Sequence, residues 1–322
     1  MIIQTAFIGD AILVSALLEK LHTFFPNAQI DLLVRKGNDG LYTDHPFLNQ
    51  LLVWNKKESK YGEMLRLIKE IRKTEYDHLI NVQRFASTGF ITWRAKAKEK
   101  IGYDKNPFSW CFDKNVKHRL DDVHEVDRLQ DLIAHLTDKE SARPRLYPTA
   151  AHEAEIANYT NGEYVCIAPT SVWFTKQLPA EKWVELIRSL PSELKVYLLG
   201  GPGDRKACEA IRTASGLEKV SDLSGELSLL ASAALIGKAK MNFVNDSAPL
   251  HLASAMNAPV RAVFCSTVPS FGFGPLSDDG KIIETEIDLD CRPCGLHGKS
   301  ACPKGHFDCA KSIDINKLST AI

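Results

Sequence analysis

The sequence has no long apolar run. No stretch approaches the roughly 20 residues that span a bilayer. The start, Met1 to Phe7, has neither the basic n-region nor the apolar h-region of a signal peptide. The chain is therefore expected to be cytoplasmic, with at most peripheral membrane contact. It also lacks net charge: 40 Lys and Arg balance 40 Asp and Glu. That removes the global basic bias expected of a nucleic-acid binder. Its eight cysteines are too few and too uneven for a disulfide scaffold, four being isolated and four gathered from Cys291 to Cys309. No GxGxxG follows the first apolar run, whose turn reads Phe7-Ile8-Gly9-Asp10. That argues against a dinucleotide-dependent dehydrogenase. No GxxxxGK(S/T) occurs, which argues against a P-loop nucleotidase.

What is present is an alternating pattern. Ile2 to Ile8 reads as a strand, and Ile12, Leu13, Ala16, Leu17, Leu21 and Phe24 fall at helical spacing up to Pro26. Ile30 to Val34 reads as a second buried strand, so the opening predicts a right-handed parallel crossover. Leu51–Trp54 and His78–Val82 continue as strands, with helices over Tyr61–Lys73, Ser87–Ala95 and His124–Leu136. A polar stretch, Asp138–Thr149, contains Pro144 and Pro148 and reads as a linker. The pattern then restarts. Strands are expected at Tyr164–Ala168, Val196–Leu199, Met241–Val244 and Val260–Phe264. Helices are expected at Glu181–Leu190, Asp204–Ala214, Leu227–Ile236 and Pro249–Met256. At 322 residues the chain accommodates two α/β domains of Rossmann type. They are placed at 1–145 and 146–322, with the extreme C-terminal helix a candidate to pack back on the first. Ligands of such sheets bind at the carboxyl ends of the strands.

Four segments at those ends carry chemistry. Asp10 follows the first strand, where it reads either as a helix cap or as a general base; Gly9 would allow close backbone approach. Thr170, Ser171 and Lys176 lie between a strand and a helix, where hydroxyls and a lysine suit a diphosphate and where a solvated loop is the plainer alternative. Asp204 follows Gly200-Gly201-Pro202-Gly203, either starting a helix or accepting from a ribose diol. Asn245-Asp246-Ser247-Ala248-Pro249-Leu250-His251 joins a strand to a helix that begins with proline. Its N-terminus would offer amide donors to an anion, while His251 reads equally as a buried structural histidine.

Taken together, the motifs resemble glycosyltransferase family 9, the ADP-heptose:lipopolysaccharide heptosyltransferases, over nearly the whole chain. The resemblance rests on Ile8-Gly9-Asp10, Phe25-Pro26-Asn27-Ala28-Gln29-Ile30, Ile101-Gly102-Tyr103, His124-Glu125-Val126-Asp127-Arg128, the Lys176…Pro179…Trp183 motif and Asn245 to Ala253. It implies a GT-B fold, two Rossmann-like domains facing each other across a cleft, with the acceptor on the first and the nucleotide sugar on the second. It implies an inverting, metal-independent transfer of heptose from ADP-heptose to a lipid-linked acceptor, at the inner face of the inner membrane. Asp10 would be the base and Lys176 the diphosphate ligand. Asp204 would meet the ribose and Asp246 the sugar, while Ser247, Ala248 and Leu250 would present backbone to the phosphates. Arg84 lies where an acceptor anion could sit. The basic run Arg94, Lys96, Lys98, Lys100 reads first as a solvated helix face, and otherwise as a means of steering toward anionic headgroups. Two departures from the family pattern stand out. Ala248 replaces the glycine common there, and Val172, Trp173 and Phe174 make the lysine loop more apolar. A transferase of the same fold using another nucleotide sugar, or a non-catalytic envelope-assembly partner, are the competing expectations.

Cys291, Cys294, Cys302 and Cys309 form a cluster that some family members share. Reduced thiols packed in a loop are the favoured expectation, and a structural zinc site the other.

Overall fold

A computed structural model describes residues 1–120 and 122–320, with the side chain of Lys60 outside that description. The chain divides into two compact units, Met1–Tyr147 and Pro148–Ile322.

The first unit is built on six strands, β1 (Ile2–Ile3), β2 (Ile30–Arg35), β3 (Leu48–Trp54), β4 (Tyr76–Asn81), β5 (Ala97–Tyr103) and β6 (Lys114–Val116). They pair in parallel in the order β3-β2-β1-β4-β5-β6. This is the doubly wound order, with its switch point beside β1. Strands covered on both faces must be apolar nearly throughout. β2 is buried from Ile30 to Val34, and its one acid, Asp31, accepts from Tyr76 (2.7 Å) and Asn49 (2.8 Å). The helices are α1 (Ile8–Leu13), α2 (Ser15–Phe24), α3 (Lys60–Ile71), α4 (Ala86–Arg94) and α5 (Glu125–Ile133).

The second unit repeats the plan. Strands β7 (Tyr164–Ala168), β8 (Lys195–Leu198), β9 (Val220–Asp222), β10 (Met241–Asn245), β11 (Val260–Phe264) and β12 (Gly280–Glu284) run parallel in the order β12-β11-β10-β7-β8-β9. Its helices are α6 (Ala150–Ile156), α7 (Ala180–Ser189), α8 (Arg205–Ser215), α9 (Leu229–Lys238), α10 (Ala248–Ala255), α11 (Asp308–Lys311) and α12 (Asn316–Ser319). α12 belongs to this unit: Ile313, Ile315 and Leu318 enter the same core as Trp183 and Ile187 of α7. Among the described residues no helix is long and apolar enough to cross a membrane.

Three local expectations change. The first strand stops at Ile3, not Ile8, because the Gln4 side chain accepts from the Ala6 amide and Asn38 donates to the Ala6 carbonyl. That turns the chain into α1, so Gly9 and Asp10 sit in its first turn. The basic run is not a helix face: Lys98 and Lys100 lie in β5, whose pairing with β4 overrides local propensity. Short edge strands β6 and β9, strand β12 and helix α6 also escape a pattern reading.

Two buried histidines give the first unit an acid-sensitive element. Burial, then the neighbouring His22, lowers His45 to about 4; burial, then Arg84 and Arg128, lowers His118 to about 4. Both are neutral in the fold and charge near 6.5 when unfolded. A depressed folded value means the stability is fully present above about pH 6.5 and is lost as pH falls toward 4. His45→Phe keeps the edge contacts with Phe47 and Tyr147 in kind. Urea unfolding at pH 7 and pH 4.5 should show this variant losing about 1–2 kcal/mol less than wild type on acidification. Equal losses in the two proteins would count against the assignment.

Candidate active site

In the second unit, three loops meet at the carboxyl ends of the central strands. The loop after β7 tightens into a 3-10 turn, Phe174–Lys176, before α7. The loop after β10 carries Asp246 into α10, and the loop after β11 carries Ser266 and Thr267. Lys176 Nζ lies 2.7 Å from Asp246 Oδ2, and Thr267 Oγ1 donates to the same oxygen at 2.7 Å. Asp246 is 5% exposed, so its charge is held by these two donors and not by bulk water. Asn245 fixes the geometry. Its Oδ1 accepts from the Leu178 amide at 2.9 Å, tying the end of β10 to the lysine loop.

The backing of this site comes from the cysteine segment. Arg292 donates to the carbonyls of Cys265 (2.8 Å) and Thr267 (2.8 Å) and pairs with Glu284 (2.6 Å). Thr175 and Lys299 exchange hydrogen bonds: the Thr175 amide donates to the Lys299 carbonyl (3.1 Å), and the Lys299 amide to Thr175 Oγ1 (2.8 Å). Gly298, at φ +77°, presses on the lysine itself. A Cβ there would stand 3.0 Å from Lys176 Cγ. With ADP held at Lys176, as the family resemblance implies, Gly298→Val should weaken its affinity about tenfold, by displacing the lysine stem. Combined with Lys176→Ala, it should add almost nothing further. Calorimetry on the two single variants and the double variant checks this, and full additivity would sink it.

The four cysteines lie near one another. Burial, then the other thiols of the cluster, pushes Cys309 up to about 11. Cys294 Sγ donates to the Cys291 carbonyl, and Cys291 Sγ contacts His306 Nε2 at 3.8 Å. Among the described residues no group of three or more such donors converges on a metal position. The segment braces Lys176 and Thr267 through Gly298, Lys299 and Arg292.

The other expected donor residues fall into distinct settings. Thr170 and Ser171 are half-buried in the β7 loop, and the Ser171 carbonyl accepts from Gln177 (2.7 Å). Ser247 occupies the N-cap position of α10 without capping it, and Ala248 opens the helix. The Leu250 amide donates to the Ser247 carbonyl (3.0 Å), so it is engaged within the helix. His251 is buried, with its ring 6.1 Å from that of Phe273. Asp204 Oδ2 accepts from the Gly201 amide at 2.7 Å and closes its own turn.

In the first unit, Asp10 is not the helix cap: Phe7 holds that position and Asp10 lies in the first turn, half-exposed. Gln4 Nε2 donates to its carbonyl at 3.4 Å. Its electrostatic neighbour is Glu125, at the start of α5. Burial raises the Glu125 carboxyl to about 7; Arg128, bonded to it at 2.7 Å, pulls it down, the charge of Asp10 pushes it up, and Arg84 pulls it down. Thus Asp10 and the exposed Arg84 act on one buried carboxyl. In sequence Glu125 and Arg128 belong to the family-like stretch His124–Arg128, and nothing there signals the link to Asp10.

This arrangement can be set beside known proteins. The family model described as Glycosyltransferase family 9 (heptosyltransferase) matches residues 64–302. The chain belongs to glycosyltransferase family 9. It is 26% identical over 279 residues to lipopolysaccharide heptosyltransferase 3 of Escherichia coli, covering 81% of this chain and 82% of that one. The solved family 9 glycosyl transferase from Veillonella parvula superposes with a TM-score of 0.82 at 18% identity, over 99% of this chain and 94% of that one. The E. coli heptosyltransferase WaaC with ADP gives 0.78 at 19%, over 99% and 97%. The fold is GT-B, each Rossmann-like unit carrying one parallel sheet, and this family 9 member is a glycosyltransferase.

Proposed function

We propose that this glycosyltransferase moves a heptose from ADP-heptose to a lipid-linked sugar of the lipopolysaccharide core, with inversion and without a metal. The observation that carries the reading is the Lys176–Asp246–Thr267 cluster at the carboxyl ends of the second sheet. A family 9 fold with a nearly buried lysine there suits a leaving nucleoside diphosphate. The named relatives add weight, since one is a lipopolysaccharide heptosyltransferase and another was solved with ADP.

In this reading Asp10 removes the proton from an acceptor hydroxyl as the oxygen attacks the anomeric carbon. The bond to the diphosphate breaks on the opposite face, and the proton ends on the Asp10 carboxylate. Negative charge grows on the departing diphosphate. Lys176 and the first amides of α10 stabilise that charge more in the transition state than in the ground state. Asp246 holds the lysine at the right place and contacts the sugar. Thr170, Ser171, Ser247 and Ala248 line the phosphates, Asp204 meets the ribose while closing its turn, and Arg84 takes an anionic group of the acceptor. Gly9 leaves room beside the base.

Calorimetric titration with ADP-heptose, ADP, UDP-sugars and GDP-sugars tests the donor. Tight binding of adenosine ligands alone is the expected result. Preference for a uridine or guanosine ligand would leave a family 9 transferase but overturn the heptose assignment, and the methyl of Ala248 would then be the first suspect.

A further inference from the structure

The first unit carries an aromatic surface beside its core, against which Phe90 packs while Trp93 and Trp110 stay exposed. Phe90 and Trp93 on α4 meet Phe108 and Trp110 on the loop after β5, with contacting ring centroids 5.6–6.3 Å apart. Trp93 is 39% exposed and Trp110 69%. Phe85, just before α4, is exposed as well. Scattered exposed rings need no explanation, but a contiguous cluster marks a contact surface.

The surface is held in shape from below. Asn106 Nδ2 donates to the Gln83 carbonyl at 2.8 Å, and its Oδ1 accepts from the Phe108 amide at 2.9 Å. Gly89 of α4 lets this loop close down: a Cβ there would fall 2.2 Å from Asn106 Oδ1 and 2.8 Å from Phe108 Cβ. The rings are thus presented by a fixed loop against a helix.

The rim is basic. The Arg94 guanidinium lies 5.3 Å from the Trp93 ring centre, and Lys100 Nζ donates to the Trp93 carbonyl at 3.2 Å. Arg72 donates to the Arg94 carbonyl at 2.7 Å, and Lys96 is exposed beside it. Asp113 is the acid nearby, accepting from the Lys100 amide. Lys98 pairs with Asp77 at 2.7 Å, so its charge is matched.

We propose that this surface docks the protein on an anionic phospholipid bilayer. Tryptophan and phenylalanine favour the headgroup boundary, where one part of the ring is dry and another wet. Arginine and lysine beside them meet phosphates and are drawn to the negative potential of such a surface. A protein partner with an apolar face would find this rim too charged; an anionic lipid surface complements both parts. Placement also fits. Phe85 and the Asn106 loop leave the carboxyl ends of β4 and β5, the same end of the sheet from which Asp10 follows β1. Hydrogen bonds run from Asn106 to Gln83, from Gln83 to Gln4 (2.5 Å) and from Gln4 to the Asp10 carbonyl. The proposal rests on the acceptor being lipid-linked, since a lipid-borne sugar must be met at its membrane.

The test is co-sedimentation of the full chain with phosphatidylcholine vesicles, with and without phosphatidylglycerol. Wild type should pellet with the anionic vesicles and be released by salt. Trp93→Ser with Trp110→Ser should weaken binding about tenfold or more, and Arg94→Glu with Lys96→Glu likewise. Calorimetric binding of ADP to each variant shows that it is folded, independently of any acceptor. Wild-type protein that stays in the supernatant overturns the docking proposal, as do variants that pellet like wild type. Wild type that self-associates through these tryptophans in sedimentation velocity, with vesicle binding unchanged in the variants, assigns the face to a second copy and overturns it too. Transfer to a delipidated acceptor separates the two readings. Loss of vesicle binding with transfer retained supports docking, whereas vesicle binding without any use of ADP-heptose supports docking and removes the heptose reading.

Discussion

Lys176→Ala should lower kcat/KM for sugar transfer by about 10²–10³-fold, with most of the loss in kcat. The expectation follows from where the charge is needed. Before transfer the diphosphate shares its charge with the sugar bond; afterwards it carries one more negative charge, and a lysine aimed at it counts most at that moment. The same substitution exposes a second function of the side chain. Asp246 is nearly buried, and without the lysine its charge rests on the hydrogen bond from the Thr267 hydroxyl. Removing one member of such a pair costs about 3–5 kcal/mol when the other is left charged. Lys176→Ala should therefore unfold at lower urea, and Lys176→Ala with Asp246→Asn should recover much of that stability. Activity should not recover in the double variant, because neutralising Asp246 supplies no cation for the diphosphate. Steady-state kinetics beside urea unfolding separates the two effects. Wild-type kcat/KM in Lys176→Ala would remove the lysine from the mechanism.

Asp10→Asn should abolish transfer by about 10³-fold or more while ADP affinity stays within about twofold. The amide keeps the size and the hydrogen-bonding edge of the carboxylate but cannot take the proton. In the proposed reading ADP sits on the second unit, whereas Asp10 belongs to the first, so its affinity has no reason to change. Glu125 adds a pH signature. Its carboxyl titrates near 7, so as pH rises a negative charge appears near Asp10. A like charge makes a carboxylate a stronger base. The rate of the chemical step should therefore carry a rise through about pH 7 that Glu125→Gln removes. A profile unchanged in Glu125→Gln would mean that the two carboxyls do not communicate in the working enzyme.

Much of the fold was legible because it is local. A parallel strand buried on both faces must be apolar, and a helix laid on it must be apolar at every third or fourth position. β2, β7, β10 and β11, and the helices α3, α7 and α10, follow from those rules within a residue or two. The elements that escaped are those whose conformation is imposed by neighbours. β5 begins in a lysine-rich run that carries little strand signal, and it becomes a strand because β4 offers an unpaired edge. β6 and β9 have three residues each, too few for any period to register.

The sequence by itself determined two repeats of alternating strand and helix, the family, and that Asp10, Lys176 and Asp246 follow strands at the ends where such sheets bind ligands. Only the tertiary structure decided that Lys176 and Asp246 share an ion pair, that Thr267 joins them, and that Arg292 and Gly298 brace the group from behind. It alone brought Glu125 within reach of Asp10 and gathered four aromatic rings onto one surface. The physical reason is the range of the forces involved. Periodicity is enforced by the backbone over a few residues, and a chain records it in order. Charge, hydrogen bonding and close packing act between atoms a few ångströms apart whatever their separation in sequence, and Lys176 and Gly298 stand 122 positions apart.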